Sequence, residues 1–372
     1  MLAPKYEFSY TKTNEIFRHH NGEGLLTRNI VGPRVEFSQE QFFPTSIFQA
    51  ITEVRVNDPG LIEKSAERRK RREKLTHDGR LAILAADHPA RRVTKSLDDP
   101  LIMGDRQAYL GRVLRVITSP EFDGVMGTTD IIEDLLILDQ LYVDHGGESF
   151  LDRKILVGCM NRGGLSGATF EMDDRFTSFT AESINHLRLD GAKMMFRLDV
   201  KDDRSLDTIQ TCSDAITQLN KYSIPVFLEA FSVKRAAGVY KTLRTADELI
   251  RTISVATGLG DSSRGIWLKI PYCEEFDRVA KATSCPILIL GGESSGHPTR
   301  LFREISRGMS AGQNVRGALA GRNILFPGQD DPAAIAVGIS GIVHRNLGVE
   351  QALNEVATAR GRDLVKLTSV LA

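Results

Sequence analysis

From residue 79 onward, the chain alternates between short apolar runs and polar stretches with helical periodicity. A short run that is apolar throughout is typical of a strand buried on both faces, as in a parallel sheet. The segments between the runs, such as 205–222 and 245–260, have the spacing of amphipathic helices. Eight strands that alternate with helices predict an α/β protein with a (β/α)8 TIM barrel over residues 79–372. The eight runs are LAILAAD (81–87), GVMGTTD (124–130), KILVGCM (154–160), AKMMFRLDV (192–200), PVFLEAF (225–231), IWLKIPY (266–272), PILILGG (286–292) and VRGALAGR (315–322).

A doubly wound sheet is the alternative architecture for such an alternation. It is disfavoured because no G-x-G-x-x-G motif follows the first apolar run. Residues 1–78 lack the alternation, and they predict an N-terminal, mainly helical extension with helices at about 45–56 and 63–75. We expect this extension to pack on the barrel or on a neighbouring subunit.

Charge and cysteine content narrow the range of partners and locations. The 48 Lys+Arg balance 48 Asp+Glu, which argues against a nucleic-acid or membrane-surface protein. The basic run 68–72 is a candidate polyanion site, although its flanking glutamates favour a solvated helix face. No apolar stretch approaches 18 residues and no apolar signal core follows the N-terminus, so we expect a cytoplasmic protein without a membrane span. The spacing of the four cysteines fits neither a zinc site nor a disulfide framework.

The active site of a TIM barrel lies at the C-terminal ends of its strands. Polar residues inside or at the end of the apolar runs are therefore candidate site residues, because their burial needs a reason. They are Asp87, His88, Thr128, Thr129, Asp130, Lys193, Arg197, Glu229, Lys269, Tyr272, Gly291, Gly292, Gly321, Arg322 and Asn323.

Lys269 is the most informative of these residues, because it lies in IWLKIPY with apolar neighbours on both sides. A lysine in such a run is paired with a core carboxylate, extends its ammonium out to solvent, or is functional. The functional interpretation is a Schiff-base nucleophile, which must react as a neutral amine. Burial and a nearby cation, Lys193 or Arg197, would favour that form, and the same two side chains could instead hold substrate hydroxyls. Lys193 thus has two interpretations: an electrostatic partner of Lys269 or a structural partner of Glu229.

Two carboxylates are candidates for proton transfer. Glu229 lies on the fifth run, between the runs that carry the two lysines. It could form an ion-pair bridge between them, or it could act as a general acid/base. Asp87, at the end of the first run, is the second candidate, whereas His88 alone is weak evidence for catalysis.

Glycine-rich segments follow the last two runs, GGESSGHPT after the seventh and GRNILF after the eighth. TIM barrels often bind phosphate at this position, where glycines let backbone N–H groups approach an anion. An arginine adds a charged clamp. The predicted phosphate-binding residues are Gly291, Gly292, Gly321 and Arg322.

With these motifs, residues 80–345 resemble the class I, lysine-dependent aldolases of the (β/α)8 superfamily, such as tagatose-bisphosphate aldolase and archaeal-type fructose-bisphosphate aldolase. The resemblance implies that Lys269 is the Schiff-base lysine, Glu229 the acid/base and Lys193 the second lysine of strand four. It also implies a role for Asp87 and phosphate binding by the glycines and Arg322, since GRNI is close to the archaeal-type GRNIF motif.

The implied activity is reversible aldol cleavage of a phosphorylated ketose or keto-acid, with no metal or cofactor and with a sugar phosphate as the small-molecule partner. Self-association into a homo-oligomer is expected by the same resemblance. Some bacterial relatives are associated with inositol catabolism, which would imply a 2-deoxy-5-keto-gluconate phosphate as substrate.

The resemblance has departures and leaves alternatives open. Phe231 and Ser232 stand where archaeal-type enzymes have a tyrosine, which favours proton transfer by Glu229, and the segment ESSGHPT has no match. One alternative is a thiolase-like acyltransferase on the same lysine scaffold. The other is a sugar-phosphate-binding barrel without turnover, which would have no need of a buried neutral amine.

Overall fold

The computed structural model describes residues 37–236 and 238–371. The strands of this part of the chain are β1 Leu81–Ala86, β2 Gly124–Gly127, β3 Ile155–Cys159, β4 Gly191–Leu198, β5 Val226–Ala236, β6 Val239–Leu243, β7 Ile266–Pro271, β8 Ile287–Leu290 and β9 Val315–Ala320. Its helices are α1 Gln39–Phe42, α2 Thr45–Asn57, α3 Leu61–Arg68, α4 Arg106–Ile117, α5 Thr129–Asp144, α6 Ala181–His186, α7 Arg204–Lys221, α8 Ala246–Ala256, α9 Phe276–Ala280, α10 Thr299–Ala311, α11 Arg322–Leu325, α12 Pro332–Arg345, α13 Val349–Ala359 and α14 Thr368–Leu371.

All the strands except β6 form one closed parallel barrel. They pair in the order β4-β3-β2-β1-β9-β8-β7-β5, and pairing between β4 and β5 closes the ring. Helices connect successive strands, so the predicted (β/α)8 TIM barrel is confirmed. A doubly wound sheet is excluded, because such a sheet has two open edges.

The strands are apolar throughout because both of their faces are buried. Leu81, Ile83 and Ala85 of β1 belong to the cluster inside the barrel, where alternate residues of β3 also lie. Ala82 and Leu84 belong to the larger cluster that includes the apolar faces of the surrounding helices. A period of two therefore places every second residue inside the barrel and the others beneath the helices.

Strand β5 continues beyond the barrel and forms an antiparallel hairpin with β6. No apolar run of the sequence marks β6, so this strand was not predicted. Gly238, with φ of +82°, lies at the turn, in a backbone conformation that glycine adopts without strain. Tyr240 and Thr242 of β6 line the cleft at the mouth of the barrel, so the hairpin forms part of the cleft wall.

The short helices of residues 37–68 pack on the outside of the barrel. Helix α1 contacts α4, and α2 and α3 contact α5. Phe42, Phe43 and Ile47 are buried in the same apolar layer as α4 and α5. The helix predicted near 45–56 is present as α2. The proposed domain boundary at residue 78 stays a prediction. Among the described residues, none of the helices has the length and apolarity that crossing a bilayer requires.

The prediction of a solvated helix over the basic run 68–72 was wrong. Helix α3 ends at Arg68, and Arg69 is fully buried. The Arg69 guanidinium pairs with Asp190 at 3.0 Å and donates to the carbonyl oxygens of Lys154 and Arg188. Charge pairing with carboxylates of the barrel wall draws these arginines inward, which leaves little of the run for a polyanion. The other pairs are Arg68–Asp139, Arg71–Asp190 and Arg72–Asp123.

Candidate active site

Four of the predicted site residues form a buried row of alternating charge inside the barrel. The Lys269 Nζ atom lies 2.8 Å from one carboxylate oxygen of Glu229, and the Lys193 Nζ atom lies 2.7 Å from the other. Lys193 also pairs with Asp87 at 3.0 Å. Lys193 is completely buried, and the other three side chains expose 8% or less of their surface.

Strand register explains why these residues meet. Glu229 of β5 is in register with Lys269 of β7 on one side and with Met195 of β4 on the other. Lys193 lies two residues before Met195 on the same face, and it extends toward Glu229 from a deeper level of the barrel. The structure therefore places Lys193 against Glu229 and Asp87, as in the structural interpretation, with the Glu229 carboxylate between the two lysines.

Arg162 completes the row, and the sequence analysis did not identify it. It follows β3 and donates an ion-paired hydrogen bond to Asp87. Arg162 is itself buried. The thiol of Cys159, the last residue of β3, lies 3.7 Å from the same carboxylate. Arg162 lies two residues beyond the third apolar run, outside the positions that the sequence criterion selected, so no signal in the sequence marked it.

The cations of this row keep its carboxylates ionised. Burial acts to raise the pKa of Glu229, but the charges of Lys193 and Lys269 outweigh it and hold the pKa at about 2. For Asp87, burial is likewise outweighed by Arg162 and Lys193, so its pKa lies well below the usual value. Burial lowers the pKa of the neighbouring His88 to about 3, so its imidazole is neutral at physiological pH.

The row opens into a cleft of about 370 Å³ at the C-terminal ends of the strands. Lys269, Glu229, Asp87 and His88 all line this cleft. Arg197, predicted to act on substrate or on Lys269, lies in its wall and pairs with Glu171 at 3.2 Å. Arg197 therefore lies at the cleft, but its charge is paired with a carboxylate of the loop after β3.

The predicted phosphate-binding residues lie together at one end of this cleft. Gly292 has φ of +66°, in the left-handed region that favours glycine. At Gly321 a Cβ atom would lie 2.4 Å from the carbonyl oxygen of Ala85, so the chain is too close to β1 for any side chain. Arg322 follows directly, with its Nη1 atom 3.6 Å from a carboxylate oxygen of Glu293.

Asn323 holds the glycine loop in place, a role that the sequence analysis did not assign. Its buried side-chain amide donates to the carbonyl oxygens of Gly291 at 2.6 Å and of Glu293 at 3.0 Å. These bonds tie the loop after β8 to the residues after β9. Asn323 is therefore a positioning residue for the two glycine segments.

The remaining candidates do not join the charged row. Asp130, at the start of α5, accepts a hydrogen bond from the Thr128 hydroxyl and pairs with Arg106 of α4. Tyr272 lines a neighbouring cleft of about 550 Å³, which shares the Gly291–Glu293 wall with the first.

A group with the composition of a metal site lies at the opposite, N-terminal end of the barrel. His77, Asp78 and His344 could each offer one ligand atom to an ion. However, both ring nitrogens of His344 already face carboxylates, at 2.8 Å from Asp78 and 3.0 Å from Asp123. Such bonds on both sides favour the imidazolium form over a metal ligand.

The closed eight-stranded parallel barrel is a fold that this chain shares with solved aldolases. A Schiff-base-forming fructose-1,6-bisphosphate aldolase is similar, with a TM-score of 0.51 and 18% identity, over 76% of this chain and all of that one. The predicted resemblance to this superfamily is confirmed at the level of the fold.

Residues 79–340 match the Cgl0159-like family, and the chain belongs to this family. The crystal structure of Cgl0159 from Corynebacterium glutamicum is 35% identical, with a TM-score of 0.75, over 82% of this chain and 98% of that one. A 2-amino-3,7-dideoxy-D-threo-hept-6-ulosonate synthase of Halobacterium salinarum is 27% identical over 49% of this chain and 64% of its own length. The chain spans less than two thirds of the length of the curated relatives that it matches.

Proposed function

We propose that this protein is a class I aldolase that reversibly cleaves a phosphorylated ketose or keto-acid through a Schiff base on Lys269. The observation that carries this proposal is the buried Lys269–Glu229 pair, 2.8 Å apart, in a cleft that ends in glycine segments and Arg322. The fold shared with a Schiff-base-forming aldolase supports the same class of chemistry.

Lys269 is the nucleophile in this proposal. Its ammonium passes a proton to the Glu229 carboxylate, and the resulting amine attacks the substrate carbonyl to give a carbinolamine. Glu229 then returns the proton to the carbinolamine hydroxyl, which leaves as water. The product is a cationic iminium on Lys269. Glu229, again a carboxylate, takes the proton of the substrate hydroxyl group as the carbon–carbon bond breaks, and the released electron pair passes to the iminium to give an aldehyde and an enamine. The protonated Glu229 returns this proton to the enamine carbon, and water hydrolyses the resulting iminium to restore Lys269.

Glu229 supports both forms of the lysine. Because its pKa is held at about 2, Glu229 is a carboxylate in the resting enzyme. When the proton leaves Lys269, one of the two cations that lower this pKa is lost, which makes Glu229 a stronger proton acceptor. The iminium carries its positive charge where the ammonium was, so the same carboxylate stabilises it. Lys193 and Asp87 act mainly as positioning residues, because Lys193 anchors the second oxygen of Glu229.

Borohydride trapping tests this proposal. The protein is incubated with dihydroxyacetone phosphate or a panel of sugar phosphates, reduced and digested, and the modified lysine is located by mass spectrometry. We expect a stable adduct on Lys269 that is lost in Lys269→Met and retained in Lys241→Met, which changes an exposed lysine of β6.

Other outcomes have distinct meanings. An adduct on Lys193 would keep the class of chemistry and reverse the assignment of the two lysines. No adduct from any carbonyl ligand, in folded protein, would contradict the aldolase proposal and favour a sugar-phosphate-binding barrel.

A further inference from the structure

Arg244 lies beside the glycine segment that the sequence analysis assigned to phosphate binding. It follows β6, so the hairpin after β5 carries it to the mouth of the barrel. A Cβ atom added to Gly292 would lie 3.9 Å from the Arg244 Nη1 atom, and both residues line the cleft that contains Lys269. The hairpin thus adds a cation to this end of the cleft.

Arg244 has no compensating partner within the part of the chain that the structure describes. Across residues 37–236 and 238–371, no side chain or backbone group forms a hydrogen bond or ion pair with its guanidinium. Arg322, which lines the same cleft, is only loosely paired with Glu293, whose side chain is 84% exposed. Among the described residues, the buried Nε atom of Arg322 has no hydrogen-bond partner. Two guanidinium groups therefore face the same segment with unused donors.

Two other arginines of the cleft lining, Arg91 and Arg197, are of a different kind. Arg91 pairs with Asp174 at 2.6 Å, and Arg197 pairs with Glu171 at 3.2 Å. Their charges are neutralised by the loop after β3. An anionic group in this cleft is therefore drawn toward Arg244 and Arg322 rather than toward Arg91 and Arg197.

We propose that Arg244 is a second cationic ligand of the substrate's phosphate, which it clamps together with Arg322 against Gly292. Guanidinium groups bind phosphate oxygens through charge-assisted hydrogen bonds, and backbone N–H groups beside a left-handed glycine supply further donors. This inference rests on the proposed function for its substrate, but the anion subsite itself does not depend on Schiff-base chemistry.

Glycerol 3-phosphate tests the anion subsite independently of Schiff-base chemistry, because it carries a phosphate and has no carbonyl group that could form an imine. Isothermal titration with the intact protein measures its affinity. We expect Arg244→Gln to weaken binding by about 10- to 100-fold, the range for loss of a hydrogen bond to a charged group. Arg244→Lys should retain part of the affinity. Arg300→Gln is the matched control, because Arg300 is an exposed arginine of the neighbouring cleft that already pairs with Glu304.

Equal binding by the wild type and Arg244→Gln, or no binding of glycerol 3-phosphate by the wild type, would overturn the proposal. Weakening by Arg300→Gln to the same extent would also overturn it, because the effect would then be one of general surface charge. If Arg244-dependent binding is found but borohydride traps no adduct, the anion subsite stands and the aldolase proposal falls. If borohydride traps an adduct on Lys269 but Arg244→Gln binds glycerol 3-phosphate as tightly as the wild type, the aldolase proposal stands and the role of Arg244 falls.

Discussion

The Lys269 ammonium and the Glu229 carboxylate lie 2.8 Å apart, and both are buried inside the barrel. The second oxygen of that carboxylate is held by Lys193 at 2.7 Å. One carboxylate therefore stabilises two buried lysines. This sharing determines how the protein should respond to mutation and to acid.

Glu229→Gln should destabilise the protein by about 3–5 kcal/mol, because it leaves Lys269 buried without its carboxylate. The folded-state pKa of Glu229, about 2, lies below the value of about 4.3 in an unfolded chain. The stabilisation by Glu229 is therefore fully present above about pH 4.3 and is lost as the pH falls toward 2. Between pH 7 and pH 3, the free energy of unfolding in urea should fall less in Glu229→Gln than in the wild type. An unchanged decline would contradict this assignment, and Glu350→Gln, at an exposed site, is the control.

Lys193→Met should also destabilise the protein by about 3–5 kcal/mol, because it leaves the buried carboxylates of Asp87 and Glu229 with one cation fewer. If Lys193 is a positioning residue, borohydride should still trap an adduct on Lys269, at a reduced rate. Unfolding in urea and mapping of the adduct measure the two effects separately. Complete loss of the adduct in folded variant protein would instead indicate a direct role in the chemistry.

Arg69→Met tests the correction to the basic run 68–72. Arg69 is fully buried and pairs with Asp190, so its loss should destabilise the protein by about 3–5 kcal/mol. The adjacent Lys70 has a side chain that is 78% exposed, so Lys70→Ala should change stability by less than about 0.5 kcal/mol. Urea unfolding compares the two. If the two variants lose the same free energy of unfolding, or if heparin retains the wild type at physiological salt, residues 68–72 would instead form a solvated basic surface.

His344→Gln should change how stability depends on pH at the N-terminal end of the barrel. Burial lowers the pKa of His344, but its bonds with Asp123 and Asp78 outweigh burial and raise the pKa above the usual value. The stabilisation is then fully present below about pH 6.5 and is lost as the pH rises through the raised folded value. From pH 6 to pH 9, the urea midpoint of unfolding should fall in the wild type and should vary less in His344→Gln. His186→Gln is the control, because His186 is exposed, and its midpoint should fall as in the wild type. A decline of the same size in all three proteins would refute the assignment.

Most of the barrel could be predicted from local patterns, because a strand buried on both faces must be apolar along its whole length. Strand β6 was missed, since its alternating sequence VYKTL is largely exposed and no apolar run marks it. Helix α3 was predicted too long, because residues 69–72 suit a helix locally but form ion pairs with the barrel wall. In both cases a tertiary contact decided the outcome.

The candidate site divides in the same way. Lys269 and Glu229 were identifiable because charged residues in apolar strands are rare. Arg162 and Arg244 were not, because both follow strands in polar loops, where arginines are common. What places them in the site is the closure of the barrel and the course of the hairpin.

The sequence by itself determined the alternation of buried strands and helices, and thus the barrel, because hydrophobic burial with a fixed period acts within each short segment. It also determined which charged side chains would need a partner inside. Only the tertiary structure decided those partners. Lys193 meets Asp87 across 106 residues of chain, and Arg162 meets the same carboxylate across 75. Electrostatic pairing depends on distance in space, and closure of the barrel creates those distances.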